Sequence, residues 1–297
     1  FAVPSLEALL AAGHEAAAVF TQPDRPRGRG LATVPSPVKV CALKHGLPLC
    51  QPETFKGGGP AETLRALAPD AIAVVAYGRI LPRAVLDIPP LGCVNVHGSL
   101  LPKYRGAAPI QRAVMNGERE TGVTTMHIAP ALDTGDMIYR DIIPIAPEDT
   151  SGTVHDKLMR IGAALLVKTL ADLAAGTAPR VPQEDGLATF APMLTREEAY
   201  IDWTQPAQAV HARIRGLSPW PVAQTGPQDS PIKIFAARLT DRVANNPPGH
   251  VLGVAPPGVE VVCGDGRTLL LTEVQGKGGR RMPADAYARG HVWPDRL

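Results

Sequence analysis

The sequence predicts an α/β protein of two domains, a doubly wound parallel sheet followed by a small β-barrel or sandwich. Three observations carry this reading. The chain has 297 residues, 45% of them hydrophobic and 20% charged, and at roughly 100 to 200 residues per domain that length suggests two cores. Through the first part, short apolar runs alternate with helix-period segments, the pattern of βαβ units. Beyond residue 200, short alternating segments are separated by Gly and Pro turns, which favours a small all-β unit.

Taken in order, Phe1 to Gly13 reads as a helix with Phe1, Leu6, Leu9 and Leu10 apolar. A doubly wound domain normally opens on a strand, so about ten residues carrying that strand are expected to be missing ahead of it. Strands follow at Ala16 to Thr21, Leu47 to Cys50, Ala71 to Ala76 and Cys93 to His97, interleaved with helices near Pro37 to His45 and Ala61 to Leu67. Further strands fall at Val123 to Ile128 and Met137 to Ile145. A long helix then runs from Thr153 to Ala174, with Val154, Leu158, Ile161 and Leu165 on its core face and a cap at Thr150 or Ser151. Gly176, Pro179, Pro182, Gly186 and Pro192 break all periodicity. The expected borders are thus residues 1–178, a linker over 179–200, and a second domain over 201–297. That domain holds a helix at Ala207 to Gly216 and strands at Ile232 to Ala236, Gly249 to Val254, Val259 to Cys263 and Thr268 to Val274.

Composition excludes several classes. The longest apolar runs, such as Ala71 to Ala76, fall far short of the roughly 18 residues of a membrane span. The four cysteines, Cys41, Cys50, Cys93 and Cys263, form no C-x-x-C pair, and Cys41/His45 and Cys93/His97 stand alone, so neither a zinc site nor a disulfide scaffold is supported. A reducing cytoplasm is the simplest home. Net charge is only +2, yet it is unevenly spread. Arg25, Arg27, Arg29, Lys39 and Lys44 face only Asp24 in the window 21–45, while Lys277, Arg280, Arg281, Arg289 and Arg296 cluster near the end. Two basic patches on a near-neutral chain suit a phosphate-rich partner, with solvated surface charge as the alternative.

The chemistry concentrates in Val94-Asn95-Val96-His97-Gly98-Ser99-Leu100-Leu101-Pro102. Strand period 2 puts Asn95 and His97 on one face, and the carboxyl ends of strands in an open α/β sheet open into the ligand crevice. Leu132-Asp133-Thr134-Gly135-Asp136-Met137 places two carboxylates in a turn between strands. Each element alone has an ordinary structural reading: a satisfied polar pair, and a turn. Together, an amide, an imidazole and a carboxylate can stabilise an oxyanion and move a proton without a Ser or Cys nucleophile or a metal cluster.

These residues also carry a resemblance. Phe1-Ala2-Val3-Pro4-Ser5-Leu6, Thr21-Gln22-Pro23-Asp24-Arg25-Pro26, Gly28-Arg29-Gly30, Pro35-Ser36-Pro37-Val38-Lys39, Arg105-Gly106-Ala107-Ala108-Pro109-Ile110-Gln111 and Ser218-Pro219-Trp220-Pro221, with the two motifs above, resemble the methionyl-tRNA formyltransferases over essentially the whole chain. Asn-x-His with Ser-Leu-Leu-Pro is shared by the wider folate-dependent formyltransferase and hydrolase group. The resemblance implies a Rossmann-like catalytic domain, a C-terminal barrel of the oligonucleotide-binding type, and formyl transfer from 10-formyltetrahydrofolate to the α-amino group of methionyl initiator tRNA. It implies Asn95, His97 and Asp133 as the catalytic trio, with Asn95 and His97 donating to the formyl oxygen and Asp133 holding His97 and handling the amine's proton. Ser99, Leu100, Leu101, Pro102, Arg79, Ile80 and Leu81 would bind the folate, with the loop Ala129 to Leu132 also at the pterin. Arg25, Arg27 and Arg29, then Lys277, Arg280 and Arg281, would contact tRNA. The loop departs from the family pattern at Leu31 and Ala32, where lysines are common, which lowers its charge. Trp203 and Trp220 are assigned to packing rather than to base stacking. No metal is expected for the chemistry, and the expected form is a monomer.

Overall fold

The computed structural model describes residues 1–27, 32–56 and 58–297. These pack as two compact units, one of Phe1–Ala107, Gly122–Ile143 and His155–Phe190, the other of Ala108–Thr121, Pro144–Val154 and Ala191–Leu297. The packing therefore draws borders different from the 1–178, 179–200 and 201–297 expected from chain order. The reason is non-local: the helix α5 (Pro109–Met115) packs against α7 (Ala207–Gly216), far along the chain.

The first unit opens on α1 (Ala2–Ala11), β1 (Val19–Phe20) and a two-stranded hairpin, β2 (Arg25–Arg27) with β3 (Ala32–Val34). Helix α2 (Pro37–Lys44) is capped by Ser36, whose hydroxyl accepts from the Lys39 N–H, with Pro37 supplying the fixed φ that suits a first turn. Strand β4 (Leu49–Cys50) pairs parallel with β1. After α3 (Gly59–Leu67) comes β5 (Ile72–Val74), then α4 (Arg83–Leu86) and β6 (Cys93–His97), which lies parallel to β5 with Val74 opposite Asn95. Leu64, Leu81 and Val85 are buried together, with Phe20, Ile72 and Val74 packed on them.

Beyond β6 the sheet departs from the all-parallel expectation. β7 (Glu120–His127) runs antiparallel to β6, His97 opposite Thr124, and β8 (Met137–Pro144) follows as β7's other neighbour. An antiparallel edge on an otherwise parallel sheet is common in α/β folds. β1 and β5 do not pair among the described residues. A cavity of about 860 Å³ lined by Leu6, Leu9, Val19, Phe20, Ile72 and Val74 lies at these strands. Helix α6 (Ser151–Ala174) is capped as expected, the Thr150 hydroxyl accepting from the Thr153 N–H.

The second unit places α7 on an antiparallel sheet built from β9 (Ala223–Thr225), β10 (Ile232–Val243), β11 (Val251–Ala255), β12 (Gly258–Val262), β13 (Arg267–Gln275) and β14 (Met282–Pro283), followed by α8 (Ala284–Gly290). The order is β11-β12-β13-β10-β9, with β14 on β13. The end strands do not pair among the described residues, so the expected barrel is an open sheet. Register shifts in the β10–β13 ladder mark the bends that let this sheet curl. Trp203, Ile214, Leu217, Ile234, Leu269 and Leu271 fill its core.

Candidate active site

The site grows from the end of β6. Cys93, Val94 and Val96 are buried as the apolar run predicts, and the alternation delivers Asn95 and His97 to one face. His97 is 6% exposed, and its Nε2 lies 2.9 Å from the Tyr104 carbonyl oxygen. A carbonyl only accepts, so Nε2 is the donor, and the neutral tautomer compatible with this bond is the one whose Nδ1 is bare. That Nδ1 faces Asp133 Oδ2 across 3.7 Å, too long for a direct hydrogen bond. Asp133 Oδ2 instead accepts from the Gly106 N–H at 2.8 Å. The Asn95 side chain makes no hydrogen bond among the described residues.

The loop carrying Asp133 is held by residues the motif reading gave no role. Asp133 itself sits at φ +51°, a left-handed conformation that a non-glycine residue keeps only when its surroundings fix it. The Gln183 amide donates to the carbonyls of both Asp133 and Gly135, at 2.8 Å each. Arg105, 4% exposed, donates from Nε to Gln183 Oε1 and from Nη2 to Asp185. Gly135 is required by close approach, since a Cβ there would collide with the His127 carbonyl. His127 stands beside this turn with its pKa held below the ordinary value by burial, then by the Arg180 charge. Arg105 and Gly106 were visible within a motif, but Gln183 lies in the stretch that reads as linker, where no spacing signal points to it.

The other predicted residues divide. The segment Ser99 to Pro102 folds back as a turn under β6. Ser99 is fully buried and its hydroxyl donates to the Lys103 carbonyl, and Leu101 is buried against Met126 and Met137. Both side chains are thus engaged within the fold, while Leu100 and Pro102 are half-buried. Leu81 is buried with Leu64 and Val85 and also lines the cavity of the first unit, whereas Ile80 is 83% exposed. Arg79 donates to Gln22 Oε1 and to the Glu53 carbonyl, so its guanidinium braces the turn before β2.

Of the basic residues, Arg25 is exposed and contacts Gln22 Oε1, the Arg27 backbone lies in β2, and Arg29 lies outside the described residues. The base of this hairpin is fastened by Asp24, which accepts from Lys39 Nζ and Gln51, and the Lys39 bond holds its carboxyl below the usual range. Lys277 donates to the Asp229 carbonyl, Arg281 forms a two-pronged pair with Glu273 and covers the Phe235 ring, and Arg280 is exposed with no partner among the described residues. Trp203 packs in the core and donates to Thr225 Oγ1, as assigned; Trp220 is 53% exposed, against its assignment to packing.

Fold and site define a class first: an α/β sheet that presents an amide, an imidazole and a carboxylate at a strand end, joined to a β unit, as in group-transfer enzymes. The chain belongs to the formyl transferase family. Residues 2–170 match the formyl transferase domain and residues 193–292 the formyl transferase C-terminal domain. The methionyl-tRNA formyltransferase of Moorella thermoacetica is 57% identical over 98% of this chain and 93% of that protein. That of Solibacter usitatus is 50% identical over 98% and 92%. Among solved structures, an N-formyltransferase from Helicobacter canadensis in complex with folinic acid and dTDP-3-aminofucose superposes with a TM-score of 0.68 at 19% identity, over 91% of this chain and 94% of that one. At that identity the likeness is one of fold.

Proposed function

We propose that this chain transfers a formyl group from 10-formyltetrahydrofolate to the α-amino group of methionyl initiator tRNA. The full-length identity to proteins of that name supports the substrate pair, and the unengaged Asn95 amide beside the oriented His97 ring is the observation that carries the chemistry.

On this reading the amine attacks the formyl carbon, its N–C bond forms, and the carbonyl oxygen becomes an oxyanion. Asn95 donates to that oxygen. The bare Nδ1 of His97 takes the proton that the amine loses and returns it to the folate nitrogen as the old C–N bond breaks. Asp133 stabilises the ring while it is charged. A free α-amino group titrates near 7.7, so an appreciable neutral fraction exists at neutral pH and positioning outweighs basicity. The β2–β3 hairpin, through Arg25 and Arg27, together with Arg29, which lies outside the described residues, and the turn bearing Lys277, Arg280 and Arg281 are the proposed tRNA contacts.

Incubating the purified chain with formyl-labelled folate and methionyl initiator tRNA tests this. Label on the methionyl amine is expected. Label transferred instead to an amino-sugar nucleotide, or released as formate with no acceptor, would favour another folate-dependent formyltransferase or a hydrolase.

A further inference from the structure

A second set of chemistry-bearing side chains sits on α1 and α2, elements that supply nothing to the β6 site. Cys41 and His45 are four residues apart along α2 and its cap, so they stand one above the other on one face. Glu7 comes from α1, which packs against α2. One ligand atom from each, a carboxylate oxygen, the Cys41 Sγ and a ring nitrogen of His45, all lie within 4.8 Å of one another. Among the described residues none of the three side chains is committed to a hydrogen bond or an ion pair. The pair that stands alone in the sequence thus gains a third donor that only the packing supplies.

We propose that Glu7, Cys41 and His45 form a binding site for a borderline-soft divalent cation, Zn²⁺ in type, with a solvent oxygen completing four-coordination. The donor set argues for that class. A thiolate and an imidazole select against Mg²⁺ and Ca²⁺, which take oxygen ligands, and thiolate, imidazole and carboxylate are all established zinc donors. Charge also matches, since one thiolate and one carboxylate neutralise a divalent ion.

Zinc bonds of about 2.0 to 2.3 Å in a tetrahedron put ligand atoms roughly 3.3 to 3.8 Å apart. The ligand atoms, all within 4.8 Å of one another, would have to close by no more than about 1.5 Å to reach that geometry. Glu7 and His45 are exposed and can rotate, while Cys41, 5% exposed, provides a fixed anchor. Burial pushes the Cys41 thiol up, the Glu7 carboxylate adds to this, and Lys44 opposes it. Binding must therefore expel the thiol proton, so affinity rises with pH and protons are released. The bound ion would clip α1 to α2 and stabilise the folded chain by mass action.

The test uses the untagged, chelator-stripped full chain titrated with Zn²⁺ and, separately, with Co²⁺, whose thiolate charge-transfer absorption reports ligation by cysteine. The expected result is one ion per chain, the thiolate band, proton release and a higher Tm. Loss of an outer partner to a ligand already costs 10 to 100-fold in metal affinity, so Glu7→Gln and His45→Ala, both at exposed positions, should weaken binding by at least about tenfold. Cys41→Ser should abolish the band while the variant's circular dichroism confirms its fold. Formyl transfer should be unchanged in Glu7→Gln. The proposal is overturned by an absence of saturable binding, by a Co²⁺ complex without the thiolate band, by a band that survives Cys41→Ser, or by full affinity in His45→Ala.

Discussion

Gln183→Ala is the sharpest test of how the loop bearing Asp133 is kept in place. The change removes three hydrogen bonds together: two from the side-chain amide to the carbonyls of Asp133 and Gly135, and one accepted from Arg105 Nε at 3.0 Å. Each neutral bond is worth about 0.5 to 1.5 kcal/mol, and a bond to a charged donor about 1.5 to 3 kcal/mol. The last matters here because Arg105 is buried and keeps only its bond to the exposed Asp185 on that side of the network. Against these stands the left-handed Asp133, whose conformation costs on the order of 1 kcal/mol and is retained only while the loop is clamped. A net loss of about 2 to 4 kcal/mol is expected, part of it in global stability and part in the population of the productive loop. Displacement of a positioned group by about 1 Å can cost 100-fold in rate, so kcat should fall by roughly 10 to 100-fold.

Single-turnover formylation, with KM for the tRNA measured separately, checks this. Gln183 is a positioning residue, so kcat should fall while KM barely moves. Asp185→Ala, at the solvent end of the same network, should change little, because exposed ion pairs contribute about 0 to 1 kcal/mol. A Gln183→Ala chain with lowered Tm but an unaltered single-turnover rate would refute the reasoning and reduce Gln183 to a fold-holding role.

Asn95→Ala should lower turnover by roughly 10² to 10³, the usual loss for one oxyanion donor, with Tm little changed because the side chain makes no hydrogen bond among the described residues; a near-normal rate would remove the donor role. Asp133→Asn keeps an oxygen for the Gly106 N–H but loses the charge, so the chemical step should slow while folate and tRNA binding persist in equilibrium measurements. His211 is buried in the second unit with its pKa lowered, first by desolvation and then by Arg215. Its folded pKa lies below the unfolded value near 6.5, so the stability it permits is present above that pH and is lost as pH falls through the lowered value. Thermal melts between pH 7 and 5 should show this decline, and His211→Gln should flatten it. Finally, Arg280→Ala should make the slope of log K against log salt for tRNA shallower than Arg281→Ala does, because Arg281 is already neutralised by Glu273 while Arg280 is free to meet a phosphate; equal slopes in filter-binding titrations would contradict that division.

The parts legible in sequence are those where local pattern and burial coincide. β6 was readable to the residue because four of its five positions are buried, and α7 because its breaks and its apolar spacing agree. β10 runs on to Val243, well past the Ala236 expected, since its outer half is exposed and its Leu239 and Val243 are interrupted by Thr240, Asp241 and Arg242, which breaks any sustained alternation. Pairing direction was not legible either: the antiparallel seat of β7 on β6 depends on chain closure, not on the composition of either strand. The same limit applies at the site. Asn95 and His97 declare themselves through strand period, whereas Gln183 reaches Asp133 from a segment whose sequence reads only as linker.

His97 illustrates why the geometry revises roles and not merely positions. Read as a motif, Asn95 and His97 are two donors aimed at one oxygen, with a carboxylate behind them. The Tyr104 carbonyl takes the ring's only proton in the neutral state, which removes His97 as a ready donor and turns its free nitrogen toward Asp133. On the proposed mechanism the three groups would divide the work: Asn95 would meet the developing negative charge, and His97 would carry a proton between two nitrogens. Asp133 serves twice with one oxygen, clasping the Gly106 N–H and facing the ring it must stabilise. The 3.7 Å gap suits that division, since a carboxylate bonded tightly to a neutral ring would require the proton on Nδ1 and block the atom that has to accept it. On the same proposal, the attraction between Asp133 and the ring would be greatest once the ring is charged, near the transition state, where it would lower the barrier.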